Sequence, residues 1–180
     1  MFGNMKYSII RDMDISNAPG ISVSIFVSGC PIRCPGCHNS KIWDSDSGRT
    51  FTFDTIEMIQ NLVKPKYISS MVILGGEPLV SNNLFFLTAL IECVRKARPD
   101  IDIIVYTGYT LQELQERRNK EFYLDWLLNH IDFLIDGRYE KDKRDITLAF
   151  RGSSNQIIWD MRDPANPKDV SKQWDEKNYK

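Results

Sequence analysis

The chain is poor in soft metal ligands: its 180 residues include four cysteines and two histidines. It also lacks an excess of charge of either sign, with a net charge of −1. No global basic field is therefore available to attract nucleic acid. No apolar run approaches the roughly 18–20 residues that a membrane span needs. The first residues offer no continuous apolar core of the kind a secretory signal requires, because Asp12 and Asp14 interrupt them. No internal repeat is visible. These absences set the expectation of a soluble cytoplasmic protein with no nucleic-acid and no membrane partner. In a reducing cytosol, clustered cysteines bind metal or do chemistry rather than form disulfides.

What is present suffices for one core. Hydrophobic residues make up 42% of the chain, and the length fits one domain, or one domain with a tail. The spacing of β-branched and aromatic residues predicts a strand over Ile21–Ser28. A helix follows over Asp54–Val63, with Asp54 and Glu57 as a capping box. A short buried strand is expected over Met71–Leu74. A strongly apolar helix is expected over Asn82–Ala97, stopped by Pro99. Ile101–Tyr106 reads as the next strand. Thr110–Arg118 reads as a helix opened by a box of Thr110 and Glu113, continued by a second piece in "FYLDWLLNH". Ile131–Ile135 and Gln156–Met161 read as the last strands. Strand–helix alternation argues for α/β architecture with a parallel sheet. At roughly 30 residues per βα unit, the chain is too short for eight units, so an open, incomplete βα barrel is expected. Residues 1–162 form the domain in this reading. Residues 163–180 are polar and charged, and are expected to be a mobile tail or a surface arm.

The unusual residues share one position. Cys30 follows the first predicted strand, "GGEP" (Gly75–Pro78) the second, "TGY" (Thr107–Tyr109) the third and "DGR" (Asp136–Arg138) the fourth. The C-terminal edge of parallel strands is where α/β folds build their sites.

The cysteines of "VSGCPIRCPGCHNSKIWD" are spaced C-x3-C-x2-C, at Cys30, Cys34 and Cys37. Two readings are open. A structural zinc could take these three and His38, although side chains of adjacent residues diverge and rarely reach one metal together. Alternatively, three thiolates hold an iron–sulfur cluster and leave one iron for another ligand. Clusters usually take four thiolates. Only Cys93 remains elsewhere, on the apolar helix, where it reads as a structural thiol; a second cluster is not expected.

With "GGEP" about one βα unit behind it, the cysteine loop resembles the radical S-adenosylmethionine superfamily. "CPGC", "TGY", "NAPG" (Asn17–Gly20) and "FLIDGRYEKDKRD…AFRGSSNQ" (Phe133–Gln156) resemble one branch of it, the activating proteins of anaerobic ribonucleotide reductase. The resemblance spans roughly residues 6–161. Three positions depart from it: Gly36 replaces the aromatic residue common in the superfamily, Ala18 replaces the branch's usual glycine, and His38 replaces the tyrosine often seen in the branch, although "CHN" also resembles pyruvate formate-lyase activating enzymes.

The resemblance implies a partial βα barrel of the radical S-adenosylmethionine type. It implies a [4Fe-4S] cluster on Cys30, Cys34 and Cys37, with S-adenosylmethionine chelating the open iron. The expected activity is reductive cleavage of that cofactor and formation of a glycyl radical on the large catalytic subunit of anaerobic ribonucleotide reductase, with flavodoxin as electron donor. Gly36, Cys37 and His38 would line the cofactor, and Gly75, Gly76 and Glu77 would approach its methionine end, Gly76 foremost. Thr107 and Gly108 would lie near the ribose or sulfonium.

Asp136 has two readings: a ligand for the ribose or a cation, or an aspartate that opens the "DGR" turn. His38 meets the cofactor or is a surface histidine. Arg151–Gln156 forms a rim for the partner or satisfies backbone groups. Trp43 and Tyr109 shield the site or belong to the core. Activation of another glycyl-radical enzyme is the nearest alternative function, and a zinc-stabilised binding module is the alternative from another class.

Overall fold

Side chains along a strand point alternately to two faces, and the central strands of this chain are apolar on both. In the computed structural model, which describes residues 4–177, the strands are β1 (Lys6–Asp14), β2 (Ile21–Val27), β3 (Arg49–Thr50), β4 (Ile68–Gly75), β5 (Asp102–Tyr106), β6 (Phe133–Asp136), β7 (Ile157–Asp160) and β8 (Lys168–Asp169). The helices are α1 (Phe53–Leu62), α2 (Leu84–Ala97), α3 (Leu111–Arg118), α4 (Phe122–Leu128) and α5 (Ser171–Glu176).

On one face, Val23, Ile25, Met71, Ile73, Ile103, Val105 and Leu134 join residues of α1–α4 in the larger core. On the other face, Phe26, Val72, Leu74, Ile104, Phe133 and Ile135 form a second core with Ile158, Val170 and Trp174. Burial on both faces explains the near-continuous apolar runs of these strands. The first four helices cover one face only, which leaves the other free to wall a cavity.

The eight strands form one open sheet in the order β3-β1-β2-β4-β5-β6-β7-β8. β2, β4, β5 and β6 are parallel. Antiparallel strands extend both edges: β1 and β3 beside β2, β7 and β8 beside β6. The α/β expectation with parallel strands holds, and the sheet does not close. The antiparallel flanks were not expected. β7 runs against β6 because no helical crossover lies between them, and a parallel return needs one.

Helix starts differ in one place. The capping box of α3 is the expected one: Thr110 Oγ1 accepts from Glu113 N at 3.2 Å, and Glu113 Oε2 accepts from Thr110 N at 2.8 Å. That of α1 is not Asp54 with Glu57. Thr52 caps the helix, accepting from Thr55 N at 3.3 Å while its own N–H donates to Thr55 Oγ1 at 3.2 Å. The shift follows from packing. Phe51 before the cap and Ile56 after it both enter the larger core, which fixes where the chain turns in.

The polar segment after Asp163 folds back onto the sheet in its described part. β8 pairs with β7. Val170 and Trp174 are buried in the second core. Residues 178–180 of the expected tail lie outside the described residues. Among the described residues, no helix is long and apolar enough to cross a membrane.

Candidate functional site

The parallel strands all end at one edge, and their loops meet there. A cavity of about 440 Å³ lies among them. Its wall includes Cys30, Cys34, Cys37 and His38 from the loop after β2, Gly75, Gly76 and Glu77 after β4, and Thr107 and Gly108 after β5. The loops expected to converge do so.

The cysteine loop is held by its own backbone. Gly29 N donates to Ile42 O at 2.8 Å and Cys30 N to Trp43 O at 3.0 Å. Arg33 and Gly36 adopt positive φ, at 50° and 78°, and so turn the chain between cysteines. Cys37 N donates to Cys34 O at 3.1 Å. Cys37 Sγ accepts from Asn39 N at 3.4 Å, and the Asn39 side chain donates to Gly75 O at 3.1 Å, tying this loop to the next. All three cysteines are free thiols and half-buried. Burial pushes the Cys30 thiol up. Cys93 is also free, and packs against the larger core.

The glycines of "GGEP" serve a close approach between loops. Gly76 N donates to Val27 O and Glu77 N to Gly29 O, each at 2.8 Å. A Cβ on Gly76 would stand 2.2 Å from Gly29 O, a contact with rigid backbone. Gly76→Ala is therefore expected to push the second loop off the first. The variant should lose cysteine-bound metal while keeping its α/β circular dichroism; full metal content would show that the loops can part without cost to the site.

Glu77 is the hub of the site. It is 1% exposed. Oε1 accepts from Leu79 N at 2.9 Å and Thr107 Oγ1 at 2.8 Å, and Oε2 from Gly108 N at 2.7 Å. Burial pushes its carboxyl up, and these three donors pull it back toward the charged form. The carboxylate thus joins the second loop to the third. Although Glu77 lines the cavity, its oxygens are already engaged.

Two expected site residues are not on the cavity wall. Gly36 is exposed, near the Tyr139 and Lys141 side chains. Asp136 is 3% exposed, and its carboxylate accepts from Leu111 N at 2.6 Å and Ile157 N at 3.3 Å. It ties the first turn of α3 to β7. Burial pushes its carboxyl up. Its carboxylate thus holds backbone at the strand end, off the cavity wall.

His38 is exposed at the cavity edge, with its ring 5.7 Å from that of Tyr139. Trp43 lines the cavity, whereas Tyr109 lies under the Arg117 guanidinium, 4.6 Å from ring centroid to Cζ. Both readings of Arg151–Gln156 have a basis. Gln156 Oε1 accepts from Gly152 N at 2.9 Å and Ser153 N at 3.2 Å, yet Arg151, Gly152 and Gln156 also line the cavity. Asn17, Tyr106 and Phe150 are among further wall residues to which no motif assigns a site role. Tyr106 gave a detectable sign: it is the last residue of its strand, at the edge where the motifs fall, and its hydroxyl donates to Asn17 O at 2.9 Å.

The donor set can be tested for what it would hold. A single zinc draws every sulfur to about 2.3 Å from one centre. Among the described residues, no three His, Cys, Asp or Glu side chains converge as a site for one ion. A multi-iron cluster bonds each of its thiolates to a different iron of one compact core. Three free thiols on one cavity wall suit the latter.

The model of the 4Fe-4S single cluster domain family matches residues 16–159. The chain belongs to this family. Among its relatives is the anaerobic ribonucleoside-triphosphate reductase-activating protein of Enterobacteria phage T4, 33% identical over 88% of this chain and 96% of the relative. The protein of that name from Pasteurella multocida is 38% identical over 86% of this chain and 97% of its own. That of Escherichia coli is 35% identical over 88% of this chain and its full length. The family's matched span contains the three cysteines, "GGEP", "TGY" and the wall at Phe150–Gln156.

Proposed function

We propose that this chain is a radical S-adenosylmethionine activase for anaerobic ribonucleotide reductase, built on the partial barrel of that superfamily. The observation that carries the reading is the placement of three free thiols on the wall of one cavity at the C-terminal ends of parallel strands. Cys30, Cys34 and Cys37 would hold a [4Fe-4S] cluster. When bound and reduced, the cluster supplies the electron that breaks a C–S bond of S-adenosylmethionine. The reduction needs an outside donor of one electron, for which flavodoxin is the class expected.

The chain's own residues hold and shield. The Asn39 side chain fixes the cysteine loop against Gly75. Glu77 holds Gly108 and Thr107 at the wall. Leu74 of β4 and Phe150 of the later loop put apolar surface on the cavity wall, the kind of lining that favours exclusion of water from a reactive site. The product in this reading is a glycyl radical on the reductase's large subunit. The relatives named above support that partner over another glycyl-radical enzyme.

The test is anaerobic. The protein is reconstituted with iron and sulfide, reduced, and its low-temperature paramagnetic resonance spectrum is recorded with and without S-adenosylmethionine. A cluster signal that changes on adding the cofactor is expected. A silent, colourless protein that retains one zinc would instead establish the binding-module reading.

A further inference from the structure

Part of the cavity wall is the segment Leu148–Gly152, of which Leu148, Phe150, Arg151 and Gly152 line the space. Its backbone is unusual. Phe150 has φ +53°, in the left-handed region that a bulky side chain rarely adopts. Such a residue persists only where its surroundings hold it.

The holding element is α5. Asp175 Oδ1 accepts from Ala149 N at 2.8 Å, and Asp175 Oδ2 pairs with the Arg151 guanidinium. One carboxylate therefore grips the residues on both sides of Phe150. The Arg151 side chain is 5% exposed and that of Asp175 31%, so the ion pair is shielded on its arginine side and partly open on its carboxylate side. Burial works against the charged form of Asp175, but the Arg151 and Ala149 donors outweigh it and hold its carboxyl below the usual range. The Trp174 ring packs edge-on against Phe150 at 5.7 Å and against Phe133 of β6 at 5.0 Å. The helix itself is anchored to the sheet. Val170 N donates to Ile158 O and Ile158 N to Ser171 Oγ, each at 2.9 Å.

The helix α5 lies outside the segment matched by the family, which stops at residue 159, whereas the wall it grips lies inside it. The relatives are matched over 96–100% of their own lengths, while more than a tenth of this chain stays outside each match.

We infer that α5 is a positioning element of the cavity: Asp175 and Trp174 hold the Leu148–Gly152 wall in the shape that receives S-adenosylmethionine. The inference rests on the cofactor reading above. Asp175 and Trp174 touch no reacting atom in it. They act through Phe150 and Arg151.

Asp175→Ala and the milder Trp174→Phe test this in the full chain, reconstituted with iron and sulfide. Lys172→Ala, on the exposed side of α5, is the control. Hydrogen exchange at Ala149, iron content and S-adenosylmethionine affinity by calorimetry are read together. Asp175→Ala should speed exchange at Ala149 and weaken cofactor binding by about tenfold, the size of effect expected for loss of a charge-assisted, part-buried hydrogen bond. Iron content should stay at the wild-type level, and turnover at saturating cofactor should be retained. Trp174→Phe should move both readouts in the same direction by less. Wild-type affinity in both variants, with faster exchange at Ala149, would overturn the inference and leave α5 as a stability element only. Wild-type protein that holds its iron yet does not bind S-adenosylmethionine would overturn the cofactor reading and this inference with it.

Discussion

Cys34→Ala is expected to abolish S-adenosylmethionine cleavage and leave the fold intact. The two halves of that expectation have separate physical grounds. Cys34 is half-exposed and belongs to neither hydrophobic core. Truncating it removes no core contact, so the stability change should stay within about 0.5 kcal/mol, as for surface substitutions away from special features. The chemistry is different. With two thiolates left, no second cysteine can stand in, because Cys93 packs against the far core. Iron and sulfide content after anaerobic reconstitution should fall to background, as should 5′-deoxyadenosine formation. The urea midpoint and far-ultraviolet circular dichroism should match the parent. Preserved cleavage would remove Cys34 from the ligand set. Unfolding would mean that the loop is a structural knot, as the zinc reading has it.

The second large effect is on stability. Glu77→Ala should cost about 3–5 kcal/mol, because it strips the partner from two buried donors and one part-buried donor at once. That is a large share of the roughly 5–15 kcal/mol by which a domain is stable. Glu77→Gln should cost less, about 1–3 kcal/mol. Its amide keeps one acceptor oxygen but sets an NH2 group against one of the three donors. Urea unfolding reads the difference. The carboxylate also spans two loops of the cavity, so both variants should lose cofactor affinity in the same order. A Glu77→Ala protein with the parent's unfolding midpoint would show that water satisfies these donors and that Glu77 is not a clamp.

These two residues were unequally visible in the sequence. The cysteines stand out because a metal site built on one loop needs its ligands close in sequence, and spacing alone displays them. Glu77 stood out as part of "GGEP", but as a residue approaching the cofactor. Its work between loops depends on Thr107 and Gly108, about thirty positions away, and local pattern carries no such information. Gly76 is similar: what it must avoid is the Gly29 carbonyl. Asp136 falls at the expected strand end, yet only the arrival of Leu111 N and Ile157 N from distant positions shows that its oxygens are engaged.

The sequence by itself determined the central strands, the first four helices and the edge at which the motifs gather. Those features follow from apolar periodicity and from residues that act within a few positions of one another. Tertiary structure alone decided the rest. β1 is exposed along much of its length, so it has no apolar alternation to read, and it is a strand because β2 offers it an edge. The cap of α1 moved to Thr52 because the core captured Phe51 and Ile56. The polar C-terminal segment became a wall support because one tryptophan and one aspartate found their partners at Phe150 and Arg151. In each case the deciding contact joins residues whose proximity is produced by the fold, and composition in the segment itself holds no trace of it.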